Sequence, residues 1–454
     1  MGNNIQRILA CRAHQTFIYL PKEKPKTDTM KRFVRSLLMF SAVFILSGCD
    51  MIDPFNNNNN DSGKHRVIAP VVFSVEEEAV SHASNDFAFR FFKATDATMS
   101  KGANYVVSPY SAQVALSMAM NGAADSTFIQ MRDVLGYNGM DMEDINSYNK
   151  KLIEGLDCVA EDTRVTLANS LWLNNNNFRN PFVEVLPEYK ISMLENYDAE
   201  VEVLDFSSPS ALKYINRWCS SKTNSLIGKV VDELNPYSVV MLINTVYFKA
   251  PWDEPFEKKN NFKDSFYPSA GDIQTVEYMY DNFDSGYYGN DKYEIVFRNY
   301  GKTEKYSFYV VLPREGVAPE DCIEELKTVI WEKRSMETAE VKLYIPKFKV
   351  ENNASIIPAL ISMGMTEPFR NDADFSNLAD DAGIHITDAT QGNIFMINEK
   401  GTEAASATKI NIGYATAPGF KKVDFKVNRP FLFFVTENAT RTILFAGKVS
   451  NIEQ

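Results

Sequence analysis

The sequence predicts an α+β fold, and three observations carry the prediction. Ala79, Ala83, Phe87, Phe91 and Phe92 recur at helical spacing, and a second apolar helix runs through Ala112–Met120 behind the capping candidates Ser108 and Ser111. Val165–Leu173 is an apolar run of strand length, the mark of a buried strand. Near the C-terminal end, Glu399–Pro418 alternates with a period of two. From Thr402 onward its even positions are small and then apolar (Thr402, Ala404, Ser406, Thr408, Ile410, Ile412, Tyr414), and its odd positions are mostly polar or small. The 454 residues are 45% hydrophobic and 23% charged, a globular composition with material for a large core.

In chain order, residues 1–29 show no sustained hydrophobic period and read as an extension ahead of the true start at Met30. Met30-Lys31-Arg32-Phe33-Val34-Arg35 is a basic leader. The apolar run behind it, through Leu37–Phe40 and Val43–Leu46, is about a dozen residues, too short to span a bilayer comfortably. It closes on Leu46-Ser47-Gly48-Cys49, which resembles the lipobox of bacterial lipoproteins. The resemblance implies a signal peptide over 30–48, diacylation of Cys49 and a membrane partner through that lipid. Residues 49–74 include five consecutive asparagines, Asn56–Asn60, and cannot bury enough apolar surface to offset the entropy of ordering. They read as a flexible tether. The expected location is exported and lipid-anchored, at the outer membrane, on its periplasmic or its cell-surface face. Asp50 after the cysteine is a retention signal in some bacterial groups and an export signal in others.

Residues 1–48 hold eight of the 47 Lys and Arg and two of the 59 Asp and Glu, so 39 basic and 57 acidic residues remain beyond them. An acidic body without a Lys/Arg cluster excludes nucleic acid as the expected partner. Cys158, Cys219 and Cys322 are widely spaced and odd in number, so buried free thiols are expected, although an exported protein could form one bridge among them. No Cys-x-x-Cys pair or Cys/His cluster points to a metal, and no cofactor is expected. Beyond residue 48 the histidines are His65, His82 and His385, without a Gly-x-Ser-x-Gly elbow, His-Glu-x-x-His or P-loop. The chain is not expected to be an enzyme.

The body begins near Val75, with Glu76, Glu77 and Glu78 where acids suit a helix dipole. A helix is expected around Ile215–Trp218. In the C-terminal stretch, Gly401 reads as a flexible joint ahead of a run free of bulk, which could enter a crowded sheet without overpacking. By alternation alone this is an ordinary edge strand. Its residues say more: Glu399, Gly401, Thr402, Glu403 and the small run Ala404-Ala405-Ser406-Ala407-Thr408 resemble the hinge of the reactive-site loop of inhibitory serpins. Phe425–Phe434 and Ile443–Val449 are similar to the strands that follow that loop. Asn104-Tyr105-Val106-Val107-Ser108-Pro109-Tyr110-Ser111 resembles the family's Asn-x-x-x-Ser-Pro-x-Ser segment, and Asn244 with Trp252 eight residues on keeps another of its spacings. Val341–Val350 resembles a Pro-x-Phe strand, and Leu360–Phe369 with Ala373–Ser376 a further segment.

The resemblance covers nearly all of 75–452 in one order. It implies a single serpin domain over 75–454, with a large mixed central sheet, smaller sheets, surrounding helices and an exposed reactive-site loop over 399–420. It places Ser108, Ser111 and Asn244 in the shutter beneath the sheet and Trp252 at the breach. Many serpins have a histidine eight residues before the hinge glutamate, where this chain has Gln391; an amide can still donate and accept hydrogen bonds there but cannot titrate. The implied activity is suicide inhibition of a serine, and possible cysteine, endopeptidase by a monomer that ends in a covalent complex with its target. The implied scissile bond is Ala415–Thr416, which suits an elastase- or subtilisin-like pocket; a shift of one residue would present Tyr414. The alternative is a non-inhibitory surface lipoprotein that uses the same fold for binding.

Overall fold

A computed structural model describes residues 71–157, 163–175, 183–225, 227–331, 336–380, 383–402 and 421–453. These residues belong to one compact unit, His65–Gln454. The helices are α1 (Val75–Thr98), α2 (Pro109–Gly122), α3 (Asp125–Leu135), α4 (Met142–Asp157), α5 (Pro187–Tyr197), α6 (Pro209–Lys222), α7 (Ile323–Leu326) and α8 (Ile357–Ser362). The strands are β1 (Tyr105–Val107), β2 (Arg164–Asn174), β3 (Glu200–Leu204), β4 (Val240–Pro251), β5 (Phe262–Phe266), β6 (Gln274–Gly289), β7 (Tyr293–Tyr300) and β8 (Tyr306–Pro313). Then follow β9 (Glu337–Pro346), β10 (Phe348–Ser355), β11 (Ile386–Ile397), β12 (Gly401–Thr402), β13 (Lys421–Lys426), β14 (Phe431–Glu437) and β15 (Ile443–Val449).

The α+β expectation is met. One mixed sheet has the order β10-β11-β4-β2-β3, with β12 added on β4; β11 runs parallel to β4 and β3 parallel to β2. The other nine strands form a path β1-β15-β14-β8-β7-β6-β9-β13, with β5 also on β6. The 16-residue β6 joins two smaller sheets, since it leaves β9 for β7 at Tyr287. Val341–Val350, read as one strand, is two strands in two sheets: the chain turns at Lys347 between β9 and β10.

The core lies between the mixed sheet and the strands behind it. Phe248 of β4 meets Phe445 of β15 edge-on, and Phe395 of β11 stacks on Phe433 of β14 at 4.7 Å between ring centres. The outer face of the same sheet is covered by α6, whose Trp218 packs edge-on against Trp172 of β2. The even residues of β4 therefore face the main core, and Met241 and Ile243 face α6.

Helix α1 starts on a reciprocal cap: Glu77 N donates to Ser74 Oγ and Ser74 N to Glu77 Oε2. Glu77 is also buried against Ser147 and Lys151 of α4, so it joins two helices as well as suiting the dipole. The apolar face of α1 holds Phe87, Phe91 and Phe92 as expected and departs from the expectation at its N-terminal end. Ala79 is exposed, and the inward stripe starts at Val80 and runs through Phe87, Ala88, Phe91 and Phe92.

Candidate functional site

The mixed sheet is forked. Strands β11 and β4 pair in parallel up to Gly392 with Thr245 and no farther. Higher up, the antiparallel partners of β4 are Gly401 and Thr402, which face Pro251 and Ala250. Between the two pairings, Val246–Lys249 of β4 face no strand partner on this side among the described residues. An opening between two strands, with the first two residues of a third segment seated at its mouth, is the unusual feature of this fold.

The seat is built around Trp252. Its indole Nε1 donates to Asn398 O at 2.9 Å, and its backbone N donates to Lys400 O at 2.8 Å. Its ring stacks on Tyr300 at 4.5 Å between centres and packs against Phe256 and Phe308. Thr402 is 2% exposed, and its hydroxyl shares a 2.7 Å hydrogen bond with the Tyr300 hydroxyl. Burial pushes the Tyr300 phenol far above its ordinary range, so the pair is neutral. Gly401, expected as a flexible joint, is instead held tightly. Its φ is +141°, and a Cβ there would stand 2.2 Å from Ala250 O. Only a glycine lets the chain come this close to the β4 backbone.

Glu399 anchors the turn that enters the seat. Its carboxylate accepts from Asn261 Nδ2 at 2.6 Å and meets Lys347 Nζ at 3.2 Å, while Lys347 also holds Glu277 at 2.6 Å. Burial alone would raise the Glu399 carboxyl, but hydrogen bonds from its own backbone, Asn261 and Lys347 outweigh it and hold the group below the usual range. Lys347 is correspondingly raised, against the opposing effect of burial, by the same two carboxylates. The Glu399 carbonyl accepts from Phe256 N at 2.8 Å.

Below the fork lies a buried polar cluster. Gln391 on β11 accepts from Ser108 N through Oε1 and donates to Ser108 O through Nε2, both at 2.8 Å, and its Nε2 also lies 3.3 Å from Asn244 Oδ1. The Ser111 hydroxyl donates to Asn244 Oδ1, and Asn244 Nδ2 donates to Asn169 Oδ1. Ser108 is the N-cap of α2, with Ser111 N donating to its Oγ. These hydrogen bonds tie the start of α2 to β11, β4 and β2 at the level where the sheet is still closed.

The structure thus brings together Ser108, Ser111, Asn244 and Gln391, and separately ties Trp252 to the turn that holds Glu399, Gly401 and Thr402, through Asn398 O and Lys400 O. Glu403, Ala404, Ala405, Ser406, Ala407 and Thr408 lie outside the described residues, as do Tyr414, Ala415, Thr416, Cys49 and Cys158. Cys219 and Cys322 are buried free thiols, each pushed up to about 12, first of all by burial. Sequence reasoning missed Asn169, Asn393, Tyr300, Asn261 and Lys347. Asn393 carried a signal, since it lies two residues beyond Gln391 and so shares its face of the strand; the others come from distant parts of the chain.

Comparison with known proteins gives a consistent picture. Residues 82–452 match the family model described as Serpin (serine protease inhibitor). A serpin-like protein of Methanosarcina mazei is 28% identical over 92% of this chain and 98% of its own. Human Serpin B3 is 29% identical over 82% of this chain and 99% of its own. Among solved structures, the thermophilic serpin tengpin in its native state superposes with a TM-score of 0.76 at 30% identity, over 85% of this chain and 97% of the other. Human thyroxine-binding globulin complexed with thyroxine superposes with a TM-score of 0.74 at 25% identity, over 84% of this chain and all of the other.

Proposed function

The chain belongs to the serpin family, and we propose that it inhibits a serine-type, or alternatively a cysteine-type, endopeptidase by suicide insertion of its reactive-site loop. One observation carries the proposal: Gly401 and Thr402 are already paired on β4 at the mouth of a forked sheet, in a definite register. Continued down the fork, that register sets Ala404 opposite Phe248, Ser406 opposite Val246, Thr408 opposite Asn244 and Ile410 opposite Leu242. The bridge between Asn398 and Gly401, continued in the same way, sets Thr408 opposite Gln391. Asn244 and Gln391 are themselves register partners across β4 and β11, so the two extrapolations agree. All the core-facing positions are then the small or apolar even residues, and Glu403, Lys409 and Asn411 fall on the other face.

In this reading the target's nucleophile attacks the carbonyl carbon of Ala415. The peptide bond to Thr416 breaks, the Thr416 amine departs with the proton given up by the attacking hydroxyl or thiol, and Ala415 stays bound to the enzyme as an ester or a thioester. The freed hinge then enters as a strand between β11 and β4, which gives both unpaired edges their hydrogen bonds and carries the acylated enzyme away before water can release it. Ala415 suits a small specificity pocket of elastase or subtilisin type; cleavage after Tyr414 would suit a chymotrypsin-like one. The protein acts as a monomer, tethered to a membrane through a diacylated Cys49.

Thr402→Arg tests the mechanism. The side chain at this position is buried against Tyr300, so an arginine cannot enter without an unpaired buried charge. The variant is expected to be cleaved by the target without trapping it. Trapping with unchanged stoichiometry would remove the hinge assignment. For the anchor, incorporation of labelled fatty acid into the full chain, lost in Cys49→Ser, is the expected result, and equal labelling of both would exclude that residue.

A further inference from the structure

Beside the polar cluster, α1, β10 and β11 enclose a cavity of about 10 Å³, room for the centre of one water molecule. Thr95, Asn352, Asn393 and Gln391 give it polar walls, with Val107 and Ala359 among the apolar ones. Three of its lining residues each carry a buried side-chain atom with no hydrogen-bond partner among the described residues: Thr95 Oγ1, Asn352 Nδ2 and Asn393 Oδ1. Thr95 is 4% exposed and Asn393 1%.

The orientation of both amides is set by the backbone of β1. Asn352 Oδ1 accepts from Val106 N at 2.9 Å, and Asn393 Nδ2 donates to Val106 O at 3.2 Å and to Gln391 Oε1 at 3.0 Å. Turning either amide would put like against like, so the atom left over is an NH2 donor on Asn352 and a carbonyl acceptor on Asn393. The two residues are direct partners across β10 and β11, yet these leftover atoms are not within bonding distance of each other. A donor, an acceptor and a hydroxyl that can do either are the three partners a buried water needs.

We propose that one internal water occupies this cavity, accepting from Asn352 Nδ2, donating to Asn393 Oδ1 and hydrogen-bonded to Thr95 Oγ1. Asn393 is the residue just above Gly392, where β11 stops pairing with β4. The water therefore joins β11 at the fork to β10 and α1, and through the two asparagines to β1 of the other sheet. The proposal does not depend on the inhibitory reading.

Thr95→Val gives a test by sign. If the hydroxyl bonds a bridging water, its loss strips the water of one partner, and the melting temperature of the full chain falls by a few degrees. If the cavity is dry, the buried hydroxyl is a liability and its replacement by a methyl raises the melting temperature. A crystal structure of the full chain gives an independent readout. Density for one water within about 2.7–3.2 Å of all three atoms is expected. A cavity without density there, or the two asparagines paired directly, would overturn the proposal.

Discussion

The hydroxyls of Thr402 and Tyr300, 102 residues apart in the chain, share a 2.7 Å hydrogen bond beneath the stacked ring of Trp252. Thr402 is thereby a seated strand residue, and the segment after it starts from a fixed position and register. The seat is maintained by three further contacts: the close approach of Gly401 to β4, the Trp252 hydrogen bonds to 398 and 400, and the Glu399 ion pair. Each can be removed separately.

Gly401→Ala removes the close approach. The added Cβ would meet backbone atoms of Ala250 and Pro251, at 2.2 and 2.7 Å, at a φ that L-residues rarely adopt. The segment must leave β4. Amide hydrogen exchange over 398–402 is expected to lose most of its protection in this variant while β11 below Gly392 keeps its own. Unchanged protection at 401 and 402 would mean the seat tolerates a side chain.

Glu399→Gln tests the charge at the turn. The folded carboxyl is depressed, so its stabilising contribution is present above the unfolded value of about 4.5 and is lost as pH falls through the lower folded value. The variant is expected to melt below the wild type at pH 7, and the gap should narrow as the pH is lowered below about 4.5. A gap independent of pH would assign the effect to the Asn261 hydrogen bond instead of to the Lys347 charge.

Gln391→Leu strands the buried backbone N–H of Ser108, while the Ser108 C=O keeps the bond it accepts from Ala112 N. Leaving a buried polar group unpaired costs about 1–3 kcal/mol. Denaturant unfolding is expected to report a loss of about 1–3 kcal/mol on that basis. A loss below about 1 kcal/mol would show that water or a neighbouring side chain replaces the amide.

Asn216 of α6 holds the segment that crosses the outside of the fork. Its Nδ2 donates to Val231 O at 2.8 Å, and its Oδ1 accepts from Val230 N and Val231 N. Val230 in turn covers Gly392, where an added Cβ would come within 3.1 Å of it. An inserted strand would have to pass under this strap. Asn216→Ala is expected to destabilise the protein and to speed loop insertion after cleavage, followed by the fluorescence of Trp172 and Trp218 near α6. An unchanged rate would show that the strap does not limit insertion.

Much of this arrangement was legible in the sequence because its signals are local. Ser108-Pro109 announces a capped helix, Val165–Leu173 a buried strand, and the run after Gly401 a face without bulk. What the sequence hid is what depends on register between distant strands. Tyr300, Asn261 and Lys347 meet the turn at 398–402 only once β7, β5 and β10 are in place, and nothing near them in the chain marks this. Gly401 looked like a joint because a glycine permits freedom; the approach of β4 shows that it is there to permit contact. Lys347 lies inside a segment that reads as one strand, and only the packing of two sheets reveals that the chain passes from one to the other there.

The most direct test of the inhibitory account mixes the full chain in detergent with pancreatic and neutrophil elastase, subtilisin, chymotrypsin, trypsin and papain. Each mixture is resolved on a denaturing gel, the released C-terminal peptide is weighed, and the cleaved product is melted. The account predicts a boiling-resistant band of inhibitor plus protease and a peptide that starts at Thr416, or at Ala415 if the bond after Tyr414 is used. Cleavage within the loop that leaves no covalent complex and no rise in melting temperature would contradict it.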